Sequence, residues 1–600
     1  MYRRILVREP ANGDAIHFLG MLAHQTGRNQ EGIDLLEKSM KMFPNNAVYF
    51  NNAGTIFTGL KEYARAANAY QRALSLNPNL PEAHFNLGKV FLEVRALDNA
   101  RLAIETALSL RPNYAEALSE LGRIFNLQEM PAEALARFQA AAAANPKFAE
   151  AYCNMGITLM KLGRLQEALD CLRQAEALNP ELNDAHLNIS QLLFMKGDYE
   201  NSLRHYLRSK NPDGGICAGI FKLVDAKSWC TANGKYYYLG EATQWEIADP
   251  AHIGANFRAK GGIAHSNELF VAELADAKSF GGSDLILCNA DYAIHELVSH
   301  SLGELTDISY DLPIKFRKDG HFLVDYVAKD VIEGEAGILL TGVSTYAFGH
   351  WLGDYFPKFK LLNEFPAYRN FPIYVDLEMP ATHFEMLEML TNGTREIIPV
   401  PRKSCISLGR LVFASHFTHF PALCAPEAEP STRIAPVSTV ACRYVSETFL
   451  QICGLDSTPR PPGHRGRRLF IGRGPGLRNV TNEDELQAIF VKHGFEVIYP
   501  ATLSFREQIA IFNEAECVAG PHGSAFVNVL FCKQGTKVIN FVQTYASNFS
   551  SWAHTVEELG HKHLYVCGIP IPKTAGHEHH LNYFVPPPLA EEAIHYFDLA

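Results

Sequence analysis

Residues 515–531 read AECVAGPHGSAFVNVLF, and this run passes from an apolar strand into an apolar helix. The strand pattern ends at Gly520, and the helix pattern begins at Ser524. A turn that needs only flexibility does not need an imidazole, so we interpret His522 as a residue that faces a ligand. The alternative is that His522 only satisfies a carbonyl of the turn.

The stretches on both sides of this run repeat the order strand, then helix. Capping boxes predict helices that start after Asn482 and after Ser504, because Glu485 and Glu507 follow them by three residues. Several strand–helix steps in succession predict a parallel, doubly wound sheet. The predicted strands are residues 468–472, 495–500, 516–520, 536–541 and 563–567.

Ligands of such sheets bind beyond the carboxyl ends of the strands. His522 and Gly523 lie there, at the start of a helix whose N–H groups and dipole favour an anion. Arg473 follows the first strand, and Arg478 is near it in the sequence. Two guanidinium groups, an imidazole and a helix N-terminus suit a diphosphate. The sequence therefore predicts that this edge of the sheet binds the phosphates of a nucleotide.

The first third of the chain has a 34-residue period. Glycines recur at this spacing from Gly20 to Gly156, and Ser190 takes the next position. The period is typical of tetratricopeptide repeats, in which small residues let paired helices approach and proline ends the second helix. We predict an all-α solenoid over residues 1–212. Its repeats would span 11–44, 45–78, 79–112, 113–146, 147–180 and 181–212, each ending near a proline (44, 78, 112, 146, 180).

Such a solenoid offers a concave surface that commonly holds a peptide or protein partner. Asparagine recurs two residues before the small-residue position, at Asn52, Asn86, Asn154 and Asn188. We interpret these amides as candidate partner-binding groups, and the alternative is a hydrogen bond between neighbouring helices. A further alternative is that the solenoid joins copies of this chain.

Composition narrows the class of protein. The 600-residue chain has a net charge of −11, which argues against a general nucleic-acid binder. It lacks an 18-residue apolar run, and its start lacks the apolar core of a signal peptide. Twelve scattered cysteines without a Cys-x-x-Cys pair favour reduced thiols. We expect a cytoplasmic protein without a membrane span.

Three segments resemble glycosyltransferase family 61: RRLFIGRGPGLRNVTNEDEL (467–486), HGFEVIYPATLSFREQIAIFNEAECVAGPHGSAFVNVLF (493–531) and GTKVINF (535–541). Upstream, GHWLGDYFPKFKLL (349–362) resembles that family's His-aromatic motif. The resemblance implies the GT-B fold, with an acceptor-side Rossmann-like domain at 213–455 and a donor domain at 456–600. It also implies inversion, a UDP-sugar donor and no metal ion. The donor residues that it implies are Arg473, Arg478, Asn482, Gln508, His522, Gly523 and Asn528.

The same resemblance places His350 and Asp354 towards the acceptor. An inverting transfer needs one general base, and either residue could serve, because helical spacing puts both on one face. The alternatives are a core histidine and a helix cap or ion pair. Asn540 departs from the family, which often has an acidic residue there, and this departure puts the identity of the donor in doubt.

Motifs for metal and cofactor chemistry are missing from the sequence. No two aspartates lie two positions apart, as the metal-dependent GT-A fold requires. The run His577-Glu-His-His580 lacks the zincin spacing, so we interpret it as a solvated loop. We therefore expect no cofactor, and a nucleotide-sugar only as substrate. The competing hypothesis is a scaffold whose repeats bind proteins while the glycosyltransferase-like part is inactive.

Overall fold

The computed structural model describes residues 1–210, 216–242, 244–247, 250–253, 262–265, 268–295, 314–342, 345, 348–402, 404–417, 438–473, 480–543, 550–571 and 582–599. The chain divides into two compact units, Met1–Pro212 and Asp213–Ala600. Each unit is described by itself.

The first unit is a succession of antiparallel helix pairs, as the 34-residue period predicts. The helices are α1 Tyr2–Arg8, α2 Gly13–Gln25, α3 Asn29–Met42, α4 Ala47–Gly59, α5 Tyr63–Leu76, α6 Pro81–Glu93, α7 Leu97–Leu110, α8 Ala115–Leu127, α9 Pro131–Ala144, α10 Ala149–Lys161, α11 Leu165–Leu178, α12 Asn183–Met195 and α13 Tyr199–Arg208.

The recurring glycines mark where the two helices of a pair touch. A Cβ added to Gly88 would lie 2.6 Å from Cδ1 of Ile104, sixteen residues later. At Gly122 the added Cβ would lie 2.8 Å from the ring of Phe138, and the same overlap recurs in neighbouring repeats. The glycine thus provides the space that a large, buried residue of the second helix fills.

The turn inside each helix pair needs a left-handed residue. Three repeats place glycine there, with φ between +72° and +81°. Three others place Lys61, Arg95 and Glu129 at the same position, with φ of 60°, 62° and 59°. Residues with a Cβ are strained in this region, and glycine is not.

The second unit contains two main sheets. Its strands are β1 Ile216–Leu223, β2 Gly234–Gly240, β3 Gln244–Ile247, β4 His252–Ile253, β5 Gly262–His265, β6 Leu269–Phe280, β7 Leu285–Leu287, β8 Tyr292–His295, β9 Ile314–Lys318, β10 His321–Gly334, β11 Gly337–Leu339, β12 Ile373–Asp376, β13 Ile397–Val400, β14 Ser404–Ala414, β15 Arg467–Ile471, β16 Phe495–Ile498, β17 Ala515–Pro521, β18 Lys537–Gln543, β19 Lys562–Pro570 and β20 Tyr583–Phe584.

Short helices connect and cover these strands. The α-helices are α14 Ala226–Asn233, α15 Phe348–His350, α16 Lys358–Leu362, α17 Ala381–Thr391, α18 Thr439–Ile452, α19 Glu483–Lys492, α20 Phe505–Asn513, α21 Ser550–Glu558 and α22 Pro587–Tyr596. A π-helical turn spans Trp351–Tyr355, and 3₁₀ segments span Pro366–Tyr368, Pro500–Thr502 and Ser524–Phe531.

The first sheet is mixed. Strand β14 pairs with β10 and then with β11 along one edge, and with β6 along the other. The order β14-β10-β1-β8-β7-β6 therefore closes into a ring, and apolar side chains such as Phe280 and Phe322 fill a cluster among these strands. A Rossmann-like domain has successive parallel strands, and among the described strands of this sheet the run β10, β14, β11, β12 and β13 has this pairing. Most pairs of the ring are antiparallel.

The second sheet is the predicted parallel one. Its order is β16-β15-β17-β18-β19, and all four of these pairings are parallel. Numbered along the chain, this is the order 2-1-3-4-5, in which the winding direction reverses between the first and third strands. The predicted strands all lie within one to three residues of the observed ones.

One local prediction was wrong. Asn482 precedes α19 but its side chain makes no capping bond, because it hydrogen-bonds Val585 instead. The predicted helix at Ser524–Phe531 is confirmed, and it is a 3₁₀ helix. The capping box of Ser504 and Glu507 is confirmed.

The largest apolar core of the second unit joins both sheets. It contains Trp351 and Val412 from the first part, and Leu469, Phe505 and Phe531 from the second. The boundary at residue 455 therefore stays a prediction. Among the described helices none has the length and apolar character needed to cross a bilayer, and the ten cysteines whose side chains the structure describes are free thiols.

Candidate functional site

The predicted phosphate site lies where the winding of the second sheet reverses. Strands β15 and β17 are neighbours, and Arg473 and His522 follow their carboxyl ends. Ligands of doubly wound sheets bind at this switch point because the following loops diverge there. Gly520 permits the close approach of the two strands: its φ is +146°, and an added Cβ would lie 2.6 Å from the carbonyl oxygen of Ile471.

Arg473 is held across the turn that contains His522. Its Nη1 donates to the carbonyl oxygen of His522 at 2.9 Å, and its backbone N–H donates to Oε1 of Glu483 at 2.8 Å. A Cβ on Gly523 would lie 3.3 Å from Cζ of Arg473, so the guanidinium lies close over this glycine. The structure thus brings together Arg473, His522 and Gly523, with Arg473 exposed to solvent.

Asn540 decides which nitrogen of His522 carries the proton. Its Nδ2 lies 2.8 Å from Nδ1 of His522, and Asn540 itself is fully buried in β18. An amide N–H donates, so Nδ1 accepts and the proton of the neutral ring is on Nε2. An acidic residue at 540 would accept from Nδ1 and favour an imidazolium. With the Asn540 amide in this orientation, the neutral imidazole of His522 has Nε2–H as a donor.

Three other predicted donor residues have partners within the protein. Gln508 and Asn528 are buried and hydrogen-bond each other, with Asn528 Nδ2 2.8 Å from Gln508 Oε1. Asn482 exchanges hydrogen bonds with the backbone of Val585. These amides fix the 3₁₀ segment after Gly523 and the strand β20. Arg478 lies outside the described residues.

His350 and Asp354 form one hydrogen-bonded pair. Nδ1 of His350 lies 3.0 Å from Oδ2 of Asp354, because α15 and the following π-helical turn place positions i and i+4 on one face. The His350 side chain is 43% exposed and that of Asp354 only 7%, so the imidazole is the group that an acceptor can reach.

The two predicted groups are carried by elements that touch. Helix α15, which ends at His350, packs against the 3₁₀ helix that begins after Gly523. Phe348 of α15 also contacts Phe505 of α20, with ring centroids 6.2 Å apart. The predicted phosphate site and the His350 pair therefore belong to one region of the second unit.

A buried polar cluster was not predicted from the sequence. Asp284 is fully buried, with Tyr355 Oη at 3.2 Å and His416 Nε2 at 3.4 Å. Burial raises the pKa of Asp284, but the hydrogen bond and charge of His416 and the charge of Lys358 outweigh it and lower the pKa below its usual value. Lys358 is also fully buried. The sequence gives no signal for this cluster, because its members come from distant segments.

A second buried carboxylate closes the ends of β11 and β12. Asp376 accepts hydrogen bonds from the backbone N–H groups of Gly282 and Gly342 and from the hydroxyl of Thr345. Burial raises the pKa of Asp376 to about 7, although these hydrogen bonds lower it. A carboxyl group that titrates near neutral pH is a common feature of active sites, and sequence spacing could not reveal it.

Within the solenoid, two of the repeated asparagines contact the preceding repeat, and one bonds its own helix. Asn52 Nδ2 lies 3.1 Å from Nε2 of His17 in the preceding repeat, and Asn154 Nδ2 lies 3.4 Å from Oγ of Ser119. Asn188 donates to the carbonyl oxygen of Asp184. These contacts match the alternative of helix–helix bonding, and Asn86 is half-buried. Their role in partner binding stays a prediction.

Protein-family models match segments of both units of the chain. Residues 348–539 match the family model for Glycosyltransferase 61, which spans the His350 pair and the Arg473–His522 region. Residues 54–94 match a TPR repeat model, and residues 149–182 match a tetratricopeptide repeat model. This chain carries tetratricopeptide repeats followed by a glycosyltransferase family 61 region. The family 61 region supports glycosyltransferase activity, and the repeats support protein binding.

Solved structures resemble parts of the chain. The peptide-binding TPR protein YrrB is 24% identical over 29% of this chain and 90% of its own, with a TM-score of 0.25. The pilF protein of Pseudomonas aeruginosa is 20% identical over 34% of this chain and 91% of its own, with a TM-score of 0.31. MamA from Desulfovibrio magneticus RS-1 is 21% identical over 27% and 93%, with a TM-score of 0.25. No curated protein matches the sequence.

Proposed function

We propose that the family 61 region transfers a sugar from a UDP-sugar to a hydroxyl group of a glycan or protein, with inversion and without a metal ion. In this proposal the two parts of the second unit face each other as in the GT-B fold. Residues 456–600 bind the donor and residues 213–455 the acceptor. The observation that carries the proposal is the Arg473–His522–Gly523 assembly at the switch point of the parallel sheet.

The assembly supplies what a departing diphosphate needs. The guanidinium of Arg473 brings a permanent positive charge, and Nε2–H of His522 brings a directed donor. The backbone after Gly523 begins a helical segment, whose N–H groups are further donors. Together these groups meet the negative charge that grows on the leaving group, which is the role of a metal ion in GT-A enzymes.

We assign the base to His350 and a positioning role to Asp354. The buried carboxylate of Asp354 accepts from Nδ1–H of His350, which leaves the lone pair on Nε2. Nε2 takes the proton of the acceptor hydroxyl while its oxygen forms a bond to the anomeric carbon. The bond from that carbon to the diphosphate oxygen breaks, and the nucleoside diphosphate leaves with the electron pair from the opposite face.

Nucleotide binding tests the donor site directly. We expect UDP to raise the melting temperature of the full-length protein more than GDP or CMP, with or without EDTA. At one hundred times its dissociation constant, UDP should stabilise the site by about 2.7 kcal/mol. The shift should be lost in His522→Ala. It should persist in His493→Ala, which removes an imidazole bound to Glu591 at the other edge of the sheet.

The outcomes separate the enzyme from the scaffold. A UDP shift that disappears with EDTA would contradict a metal-free site. The absence of a shift with every nucleotide, in protein that unfolds cooperatively, would favour the inactive scaffold. Once a donor is found, His350→Gln should abolish transfer while leaving the UDP shift unchanged, because His350 acts on the acceptor.

We also propose that the solenoid docks a protein acceptor or partner, and that the protein works in the cytoplasm, where its free thiols stay reduced. If the solenoid serves to join copies of the chain instead, light scattering of the full-length protein will give a mass above that of one chain. A monomer that binds its acceptor protein more tightly than the isolated sugar acceptor would support docking.

A further inference from the structure

Three side chains at the end of the solenoid converge on one point. Glu176 lies in α11, His186 in α12 and His205 in α13. Their ligand atoms, Glu176 Oε1 and the two Nδ1 atoms, all lie within 4.8 Å of one another. The side chains are 23%, 5% and 17% exposed, so the group is largely shielded but open on one side.

The separations fit a tetrahedral metal ion. The two Nδ1 atoms lie 3.3 Å apart, and Oε1 of Glu176 lies 3.5 Å from Nδ1 of His186 and 3.8 Å from Nδ1 of His205. Zinc bonds of about 2.0–2.1 Å in a tetrahedron place neighbouring donor atoms about 3.3–3.4 Å apart. A small closure of the carboxylate would complete three of the four positions, with water as the fourth ligand.

His186 has the protonation that a ligand needs. Its Nε2 lies 2.8 Å from the carbonyl oxygen of Pro180, so Nε2–H donates there and the lone pair of Nδ1 points into the cluster. This backbone bond is the usual outer partner of a metal-binding histidine.

The cluster is specific to the last two repeats. In the other repeats, the residues that correspond to Glu176 at the 34-residue period are Met40, Leu74, Leu108 and Ala142. The third repeat has the equivalent histidine, His84, whose Nε2 lies 2.9 Å from the carbonyl oxygen of Pro78. The positions around His84 that correspond to Glu176 and His205 are Leu74 and Ala103. The histidine–carbonyl bond thus also occurs at His84, and the two added ligands do not.

We propose that Glu176, His186 and His205 bind one Zn²⁺ ion that joins helices α11, α12 and α13. Arg208 competes for the site, because its Nη1 lies 3.5 Å from Oε1 of Glu176. Its side chain is 59% exposed and can turn into solvent when the ion binds. The ion would fasten the final helix pair to the repeat before it, which stabilises the end of the solenoid.

Cobalt binding tests the site with an optical signal. Chelator-treated full-length protein should bind one Co²⁺ with the strong visible absorption of a four- or five-coordinate ion, and Zn²⁺ should abolish the band. His205→Ala and Glu176→Gln should lose the band and weaken Zn²⁺ binding by about 100-fold or more, since even outer partners are worth 10- to 100-fold. His84→Ala, the matched control, should keep both. Far-UV circular dichroism will show that each variant is folded.

Thermal unfolding gives a second readout. Zn²⁺ should raise the melting temperature of the wild type and of His84→Ala, but not of His205→Ala. Wild-type protein without the strong Co²⁺ band would overturn the proposal. So would a band that is retained in His205→Ala, because the ion would then be bound elsewhere. Neither result depends on nucleotide binding, because these experiments contain no nucleotide.

Discussion

The contacts inside the solenoid join residues that are close in the sequence, whereas many contacts inside the α/β unit join residues that are far apart in it. In the solenoid, Gly88 packs on Ile104, and Gly122 and Gly156 repeat the contact in the next two repeats. In the α/β unit, Arg410 pairs with Glu273, and β14 lies beside β6. Local, repeated contacts leave a period in the sequence, whereas single long-range contacts leave none. The comparison therefore predicts that single substitutions will cost more in the α/β unit.

The largest effect is expected at the buried Asp284. Asp284→Asn removes the charge that balances the buried Lys358 and His416. Breaking a buried ion pair on one side costs about 3–5 kcal/mol of unfolding free energy. Urea unfolding will measure this loss. Glu335→Gln, at an exposed carboxylate, should change the free energy by less than about 0.5 kcal/mol. Equal costs for the two variants would contradict a buried ionic cluster at Asp284.

The next effect concerns Glu273, which joins β6 to its neighbours. Burial raises its pKa, but hydrogen bonds from Arg410, Lys235 and Tyr368 outweigh this and lower the pKa from 4.5 to about 2. Because the pKa of Glu273 is lower in the folded than in the unfolded protein, its ionised carboxylate stabilises the fold above pH 4.5. This contribution is lost as the pH falls towards 2. Glu273→Gln should therefore cost about 2–3 kcal/mol at pH 7.

The pH dependence distinguishes this charge effect from simple packing. Urea unfolding of the wild type and of Glu273→Gln should give curves that converge as the pH is lowered from 5 to 3. A difference that stays constant across this range would contradict the assignment. Glu333→Gln, at an exposed position in β10, should neither lower the unfolding free energy at pH 7 nor change its dependence on pH.

A smaller effect is expected at the helix contacts of the solenoid. Gly88→Ala and Gly122→Ala force a methyl group against Ile104 and Phe138, and overpacking of this kind costs about 1–3 kcal/mol. Gly59→Ala is the matched control. Its added Cβ would meet only Nε2 of His24, at 3.7 Å, so this variant should be neutral or slightly stabilising. If all three behave alike, the glycines are not contact positions.

The smallest effect has the opposite sign. Lys61→Gly, Arg95→Gly and Glu129→Gly remove the backbone strain of a left-handed residue with a Cβ. Each should stabilise the solenoid by about 0.5–1 kcal/mol. Thermal unfolding of the triple variant will sum the three gains. Gly163→Ala, at the same position of another repeat, should lose a similar amount. If these glycine variants are less stable than the wild type, the replaced side chains contribute more to stability than their left-handed conformation costs.

The two units also differ in what the sequence revealed. The repeat period predicted the solenoid, and strand–helix alternation predicted the parallel sheet, because both patterns are local. The ring around β14 was not predicted, since its pairs join residues such as Phe280 and Cys405. The sequence pattern predicted a helix at Ser524–Phe531 but could not show that it is a 3₁₀ helix.

The candidate site shows the same limit. Sequence alone selected Arg473, His522 and Gly523, because each follows a strand that the pattern locates. It could not show that Asn540 hydrogen-bonds His522, or that Gln508 and Asn528 bond each other in the interior. The cluster of Glu176, His186 and His205 was missed for a similar reason: its spacing matches no metal motif, and only the packing of three helices brings the residues together.

The ring of the first sheet also sets the order of events during synthesis. One edge of β6 is completed only by β14, whose Ala414 pairs with Val271. At about 5–20 residues per second, the ribosome needs roughly 7–30 s to make the intervening segment. The repeats are made first and can pack one upon the next as they emerge. During this interval the nascent chain therefore exposes the edge of β6, which makes it the segment that a chaperone has most reason to cover.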